Sequence, residues 1–143
     1  MKLTLTLALV LSACFSQAQV RTTTRTVTLF GDLERQLTAA KGPQERTRYL
    51  TDDFEERLCA QPGTPIPHDE WLNRPAVSFS FKQEAVHFYG DVAVYSALAT
   101  TSKGQQFAVV DTWKNESETW KLAVRFLCPA TGEKPSSPID KRY

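Results

Sequence analysis

Very little in this chain of 143 residues could hold a metal ion. Its only two histidines, His68 and His87, stand well apart, and the three cysteines are Cys14, Cys59 and Cys128, with no Cys-x-x-Cys pair. No ligand cluster of the usual spacing results, so no metal site is expected. A glycine-rich phosphate loop and a Gly-x-Ser-x-Gly elbow are also missing, which removes the common nucleotide-binding and serine-hydrolase signatures and leaves no cofactor implied. Basic runs are absent, and the formal net charge of +1 includes Lys2 near the N-terminus. Without a basic patch there is no electrostatic footprint for nucleic acid, whose phosphates supply most of the binding. The one apolar stretch, Leu3 to Ala13, is too short to span a bilayer, which takes about 20 residues.

That stretch reads instead as part of a signal peptide over residues 1–18: a basic residue, an apolar core and small residues at its end. Ser16-Gln17-Ala18 suits general signal peptidase. Leu11-Ser12-Ala13-Cys14 suits a lipoprotein peptidase and would leave a lipid anchor at Cys14. Either way the expected location is secreted or periplasmic. Loss of Lys2 leaves 16 basic residues against 16 acidic ones, a formally neutral mature chain. Residues 129–143, rich in Pro, Ser, Lys and Asp, are expected to be a flexible tail. In an oxidising compartment Cys59 and Cys128 form an even pair, and a disulfide closing so long a loop would stabilise the fold by about 4 kcal/mol on the chain-entropy model. Two buried free thiols are the alternative.

The body of the chain is one domain's worth of residues, without repeats or a long linker. Leu29, Phe30, Leu33, Leu37 and Ala40 fall at the spacing of one helical stripe, with Thr26 or Thr28 as a cap and Asp32, Glu34, Arg35 and Gln36 facing outward. Lys41-Gly42 stops this helix and Pro43 opens a second, over Gln44 to Thr51. A first strand runs from Phe54 to Cys59. The proline-rich Gln61 to Pro67 excludes regular structure, and His68 to Leu72 forms a short third helix. From Phe81 to Phe126, Val86, Phe88, Val92, Val94, Phe107, Val109, Trp113, Trp120, Leu122 and Val124 alternate with polar residues. Turns at Gly90-Asp91, Lys103-Gly104 and Asn115-Glu116-Ser117 divide this run into a four-stranded antiparallel meander. The fold class is α+β, with N-terminal helices laid on a curved, mainly antiparallel sheet.

This order resembles the nuclear transport factor 2-like superfamily of cone-shaped domains, and most closely its SnoaL-like branch. The resemblance is carried by Leu37-Thr38-Ala39-Ala40, Tyr49 to Phe54, His68 to Leu72, Val86 to Val94, Val110 to Trp113 and Trp120 to Val124, within a domain spanning residues 26–128. It implies a pocket between the helices and the concave sheet face, and often a homodimer through the other face. It implies no single chemistry, because the same cone hosts isomerases, cyclases, dehydratases, binders and interaction modules.

Asp111, set among Ala108, Val109, Val110 and Trp113, is the candidate catalytic residue. Burial favours the protonated form of a carboxylate, which is how such a group becomes a general base. The competing reading is a structural Asp paired with Arg125. His87 takes the face opposite Val86 and Phe88, while His68, on the segment that rims the pocket in the family, is a candidate ligand contact. The expected function is an exported domain binding a small, largely apolar molecule. Phe30, Leu33, Tyr49, Phe54, Trp71, Val94 and Trp113 would be the walls, and Asp111 or Tyr95 the polar anchor. The alternatives are an isomerase, cyclase or hydrolase using Asp111 as base, and an interaction module using the sheet face.

Overall fold

The computed structural model describes residues 24–130; the signal segment 1–18, Cys14 and nearly all of the proposed tail lie outside them. Within that range helix α1 covers residues 24–39, followed by α2 (Pro43–Thr47), β1 (Leu50–Leu58), β2 (Ile66–Pro67) and α3 (His68–Leu72). The meander is β3 (Phe79–Tyr89), β4 (Val92–Thr101), β5 (Gln106–Glu116) and β6 (Thr119–Pro129). All six strands form one sheet in the order β2-β1-β6-β5-β4-β3, antiparallel except where β1 runs parallel to β6. The α+β architecture with helices on one face of a curved, mainly antiparallel sheet is as the sequence predicts.

Several boundaries and phases differ from expectation, each for a local reason. Thr26 and Thr28 lie inside α1 rather than capping it, and the Thr28 hydroxyl bonds back to the Thr24 carbonyl at 3.1 Å. The buried stripe of α1 is Phe30, Glu34, Leu37 and Ala40, while Leu29 is 46% exposed. Glu34, expected in solvent, is fully buried because its carboxylate has partners waiting across the core. The second helix ends at Thr47, and Leu50 and Thr51 join β1. There Leu50 pairs with Leu122 and the Leu122 amide donates to the Tyr49 carbonyl at 2.7 Å, so sheet burial overrides helix extension. Ile66 and Pro67 form a two-residue edge strand on β1, a place where proline's missing N–H costs little. The proposed tail begins one residue too early, since β6 includes Pro129.

Strand β4 turns Ala93, Tyr95, Ala97 and Ala99 inward, and Val92 and Val94 to the opposite face. Its register explains this: Ala93 faces Trp113 and Tyr95 faces Asp111 across β5, so the small alanines leave room for the large indole. On β6 a bulge opposite Thr112/Trp113 inserts one residue between Leu122 and Val124. The alternation therefore flips, sending Val124 outward and Arg125 inward. A second bulge in β3 sits between Lys82 and Ala85, with Gln83 at φ 55°. It aims Glu84 at the Tyr95 hydroxyl, 3.0 Å away. Gly31 on α1 makes room for this carboxylate, because a Cβ there would lie 2.1 Å from Glu84 Oε2.

The main core gathers Phe30, Leu37, Leu50, Phe54, Leu72, Tyr95, Trp113 and Leu122 between the helices and the sheet. A smaller cluster of Ala99, Phe107, Val109 and Leu127, flanked by Phe79 and Phe81, lies further along the sheet. A disulfide joins Cys59 to Cys128, with Cα atoms 4.9 Å apart. It fastens β1 to β6 three residues beyond the paired Glu56 and Arg125. No described helix is long and apolar enough to cross a membrane.

Candidate functional site

Arg125 is the hinge of the polar interior. The β6 bulge places it directly opposite Asp111, and its Nε donates to Asp111 Oδ1 and Oδ2 at 3.1 and 3.0 Å. Its Nη2 reaches Asp111 Oδ2 at 2.5 Å and also donates to Glu34 Oε2. Glu34 Oε1 accepts from the Trp113 indole at 3.1 Å. All four side chains are essentially inaccessible. Burial is the first cause holding the Glu34 carboxyl well above the usual range, and the nearby Asp111 charge adds to it. Two carboxylates with one guanidinium in a dry core cannot both ionise cheaply, and burial together with the Asp111 charge favours the protonated form of Glu34. Burial works against the Arg125 charge, but Asp111 and Glu34 outweigh it and hold its pKa up.

On the other side of Arg125 lies a cavity of about 50 Å³, room for about three to five waters. Helix α1 supplies Leu37 and Thr38, α2 supplies Arg46, β1 supplies Glu56, and α3 supplies Trp71. The Arg74–Val77 loop forms the mouth, and Phe79, Phe107, Arg125 and Leu127 form the sheet wall. Glu56 is buried and its Oε2 accepts from the Trp71 indole at 3.0 Å. Burial raises its pKa, against the opposing pull of Arg125, the Trp71 bond and Arg74. The Trp71 ring meets Phe54 edge-on at 5.1 Å and carries Arg46 5.2 Å from its centroid.

Of the residues expected to bind a ligand, only Trp71 lines this cavity. Phe54, Tyr95 and Trp113 are core, and Tyr49 packs against that core with its hydroxyl on Gln36 Oε1 at 3.3 Å. His68 opens α3 with its Nδ1 2.9 Å from Asp69. Among the expected walls, Phe30 and Leu33 belong to the core and its margin, and Val94 points to the other sheet face. Asp111 sits behind Arg125, paired as the structural alternative described, with no surface on the cavity. His87 is exposed on the opposite face, paired with Val94. Sequence reasoning missed Arg46, Glu56 and Arg74. The usable signal was an Arg in the middle of a short proline-started helix and a Glu in the inward phase of β1. No group of His, Cys, Asp or Glu among the described residues could hold a metal.

No protein-family model matches the chain, and no curated protein matches it in sequence. Solved structures do match in shape. An NTF2-like protein from Cytophaga hutchinsonii superposes with a TM-score of 0.62 at 16% identity, over 73% of this chain and 97% of its own. The fold is NTF2-like. A candidate ketosteroid isomerase from Parabacteroides distasonis shares this NTF2-like form with a TM-score of 0.59 at 13% identity, covering 72% of this chain and 86% of that one. An NTF2-like protein of unknown function from Pseudomonas putida gives 0.59 at 15% identity, over 82% and 96%. At these identities the likeness establishes the NTF2-like fold and leaves the chemistry to the cavity.

Proposed function

We propose that the chain is an exported small-molecule-binding domain that holds a compact, largely apolar ligand in the cavity beneath α2 and α3. The carrying observation is the lining: Leu37, Trp71, Val77, Phe79, Phe107 and Leu127 surround the opening. The disulfide and the absence of a membrane-crossing helix among the described residues are compatible with export. The far face of the sheet presents Val92, Val94, Leu98, Phe126 and a 37% exposed Val110, a surface suited to a second copy of the chain in a homodimer. Light scattering at micromolar concentration tests that, and a monomer mass refutes it.

Methyl resonances of Leu37, Val77 and Leu127 should shift saturably on titration with hexanol, a neutral apolar probe, and a Val77→Trp substitution should abolish the shifts. Absence of saturable shifts with any small probe would sink the binding reading. One observation favours an enzymatic alternative: Glu56 is a buried carboxylate with raised pKa, and it borders the cavity, where Asp111 has no surface. In that reading Glu56→Gln loses turnover and keeps ligand.

A further inference from the structure

The charges around the cavity do not balance locally. Arg125 is matched by Asp111 at 2.5 Å. Arg74 is matched by Glu70 at 2.7 Å and lies 4.0 Å from Glu56. Arg46 has no carboxylate within ion-pair distance among the described residues, although it is only 6% exposed. Its Nη2 donates to the backbone carbonyls of Leu72 and Arg74 at 2.5 and 3.0 Å. Its Nε is buried without any partner, and Nη1 makes no hydrogen bond among the described residues. A buried cation with an orphaned donor is costly, and the stacked Trp71 ring offsets only part of that. An anion entering the cavity would offset the charge through Nη1, the guanidinium donor that is neither hydrogen-bonded among the described residues nor inaccessible.

We infer that the ligand is a small organic carboxylate whose charged end docks on Arg46 and whose apolar body lies against Trp71, Val77, Phe79 and Phe107. This rests on the cavity reading above and names the ligand class for it. The guanidinium fork suits a planar carboxylate. The apolar wall adds contacts that only an organic body can use, and the bordering Glu56 carboxylate disfavours a multiply charged group such as phosphate. Trp71 is held for this task at both ends, its indole N–H on Glu56 and its ring edge on Phe54. Ligand charge, rather than shape alone, then sets preference.

The full chain is titrated with hexanoate, hexanol and inorganic phosphate, followed by calorimetry and by the Arg46 Nε–H resonance. The expected result is that hexanoate binds at least about tenfold more tightly than hexanol, shifts the Arg46 Nε–H, and loses its advantage in Arg46→Met. Equal binding of hexanoate and hexanol overturns the carboxylate assignment while leaving the cavity reading intact. If neither binds, both fall. Phosphate competing as well as hexanoate overturns the organic part of the assignment. Should Arg46→Met not fold, the wild-type Nε–H resonance decides alone: hexanoate binding that leaves it unmoved refutes Arg46 as the anchor.

Discussion

Two arginines, both nearly inaccessible, border the same cavity and are treated in opposite ways by their surroundings. Arg125 is pinned by Asp111 and Glu34, with Trp113 satisfying the remaining Glu34 oxygen. Arg46 rests on two backbone carbonyls and an indole face, with a donor left over. Closed networks of the first kind hold elements in place, here α1 to β5 and β6, and have little left to offer a ligand. Open ones of the second kind remain costly until something binds. The contrast separates scaffold from site more sharply than residue type does, since a buried Asp looks more catalytic in a sequence than an Arg on a five-residue helix.

Paired substitutions test that contrast most severely. Arg125→Met strands the Asp111 charge in the core, and breaking a buried pair in this way costs about 3–5 kcal/mol. Arg46→Met strands only two carbonyls, for about 1–2 kcal/mol. Urea midpoints for the two variants should therefore differ widely, and similar losses would mean that the Arg125 network is no more structural than Arg46. Removing the disulfide comes next. Cys59→Ser with Cys128→Ser should cost about 2–4 kcal/mol. Because the bridge follows Glu56 and Arg125 by three residues on each strand, hydrogen exchange should rise first at the β1–β6 seam beside the cavity. Uniform loss of protection would contradict this.

The sequence made the meander, the two glycine turns and the Cys59–Cys128 pair legible because each rests on local pattern: alternation, a glycine where the chain reverses, an even pair of cysteines after the signal segment. The turn expected at Asn115-Glu116-Ser117 instead falls at Ser117-Glu118, because Asn115 and Glu116 stay paired with Trp120 and Thr119. The inward phase of β4 and β6 was not legible, since it depends on pairing. Ala93 goes in and Val94 goes out because Trp113 lies across the ladder, and Val124 yields its place to Arg125 at a bulge that no composition announces. Glu34 was misplaced for the same reason. Its burial is explained only by a Trp and an Arg that lie about 80 and 90 positions away in the chain. Arg46, Trp71 and the Arg74–Val77 side of the cavity come from short helices and a loop, where periodicity carries little information.

A smaller effect is expected midway along α1, where packing is closed to the point of contact. In Gly31→Ala the new Cβ meets Glu84 Oε2, so that carboxylate must swing away and release the buried Tyr95 hydroxyl. Losing that bond costs about 1–3 kcal/mol, and the better helix propensity of alanine returns about 1 kcal/mol. Net destabilisation of about 1 kcal/mol in a thermal melt is expected. In the Glu84→Ala background only the flexible Arg35 guanidinium, 2.8 Å from the new Cβ, has to move, and the same substitution should not destabilise. If it still destabilises, the clash is not with Glu84.

The finest distinction between the two clusters is how stability responds to pH. Glu34 is held above its unfolded pKa by burial and by Asp111, so the folded state binds its proton more tightly than the unfolded chain does. Its contribution to stability is complete below the unfolded value of about 4.3 and is lost as pH rises through the folded one. Glu56, raised in the same direction, adds a slope of the same sign. Glu34→Gln removes one of the two slopes. Its absolute stability should fall by about 1–2 kcal/mol, because the amide nitrogen cannot accept from Trp113 or Arg125 as the carboxyl oxygen it replaces does. Yet the gap to wild type should narrow steadily from pH 4 to pH 8. A gap that stays constant would show that Glu34 is ionised in the folded protein, and the Arg125 network would then be an overcharged cluster rather than a closed one.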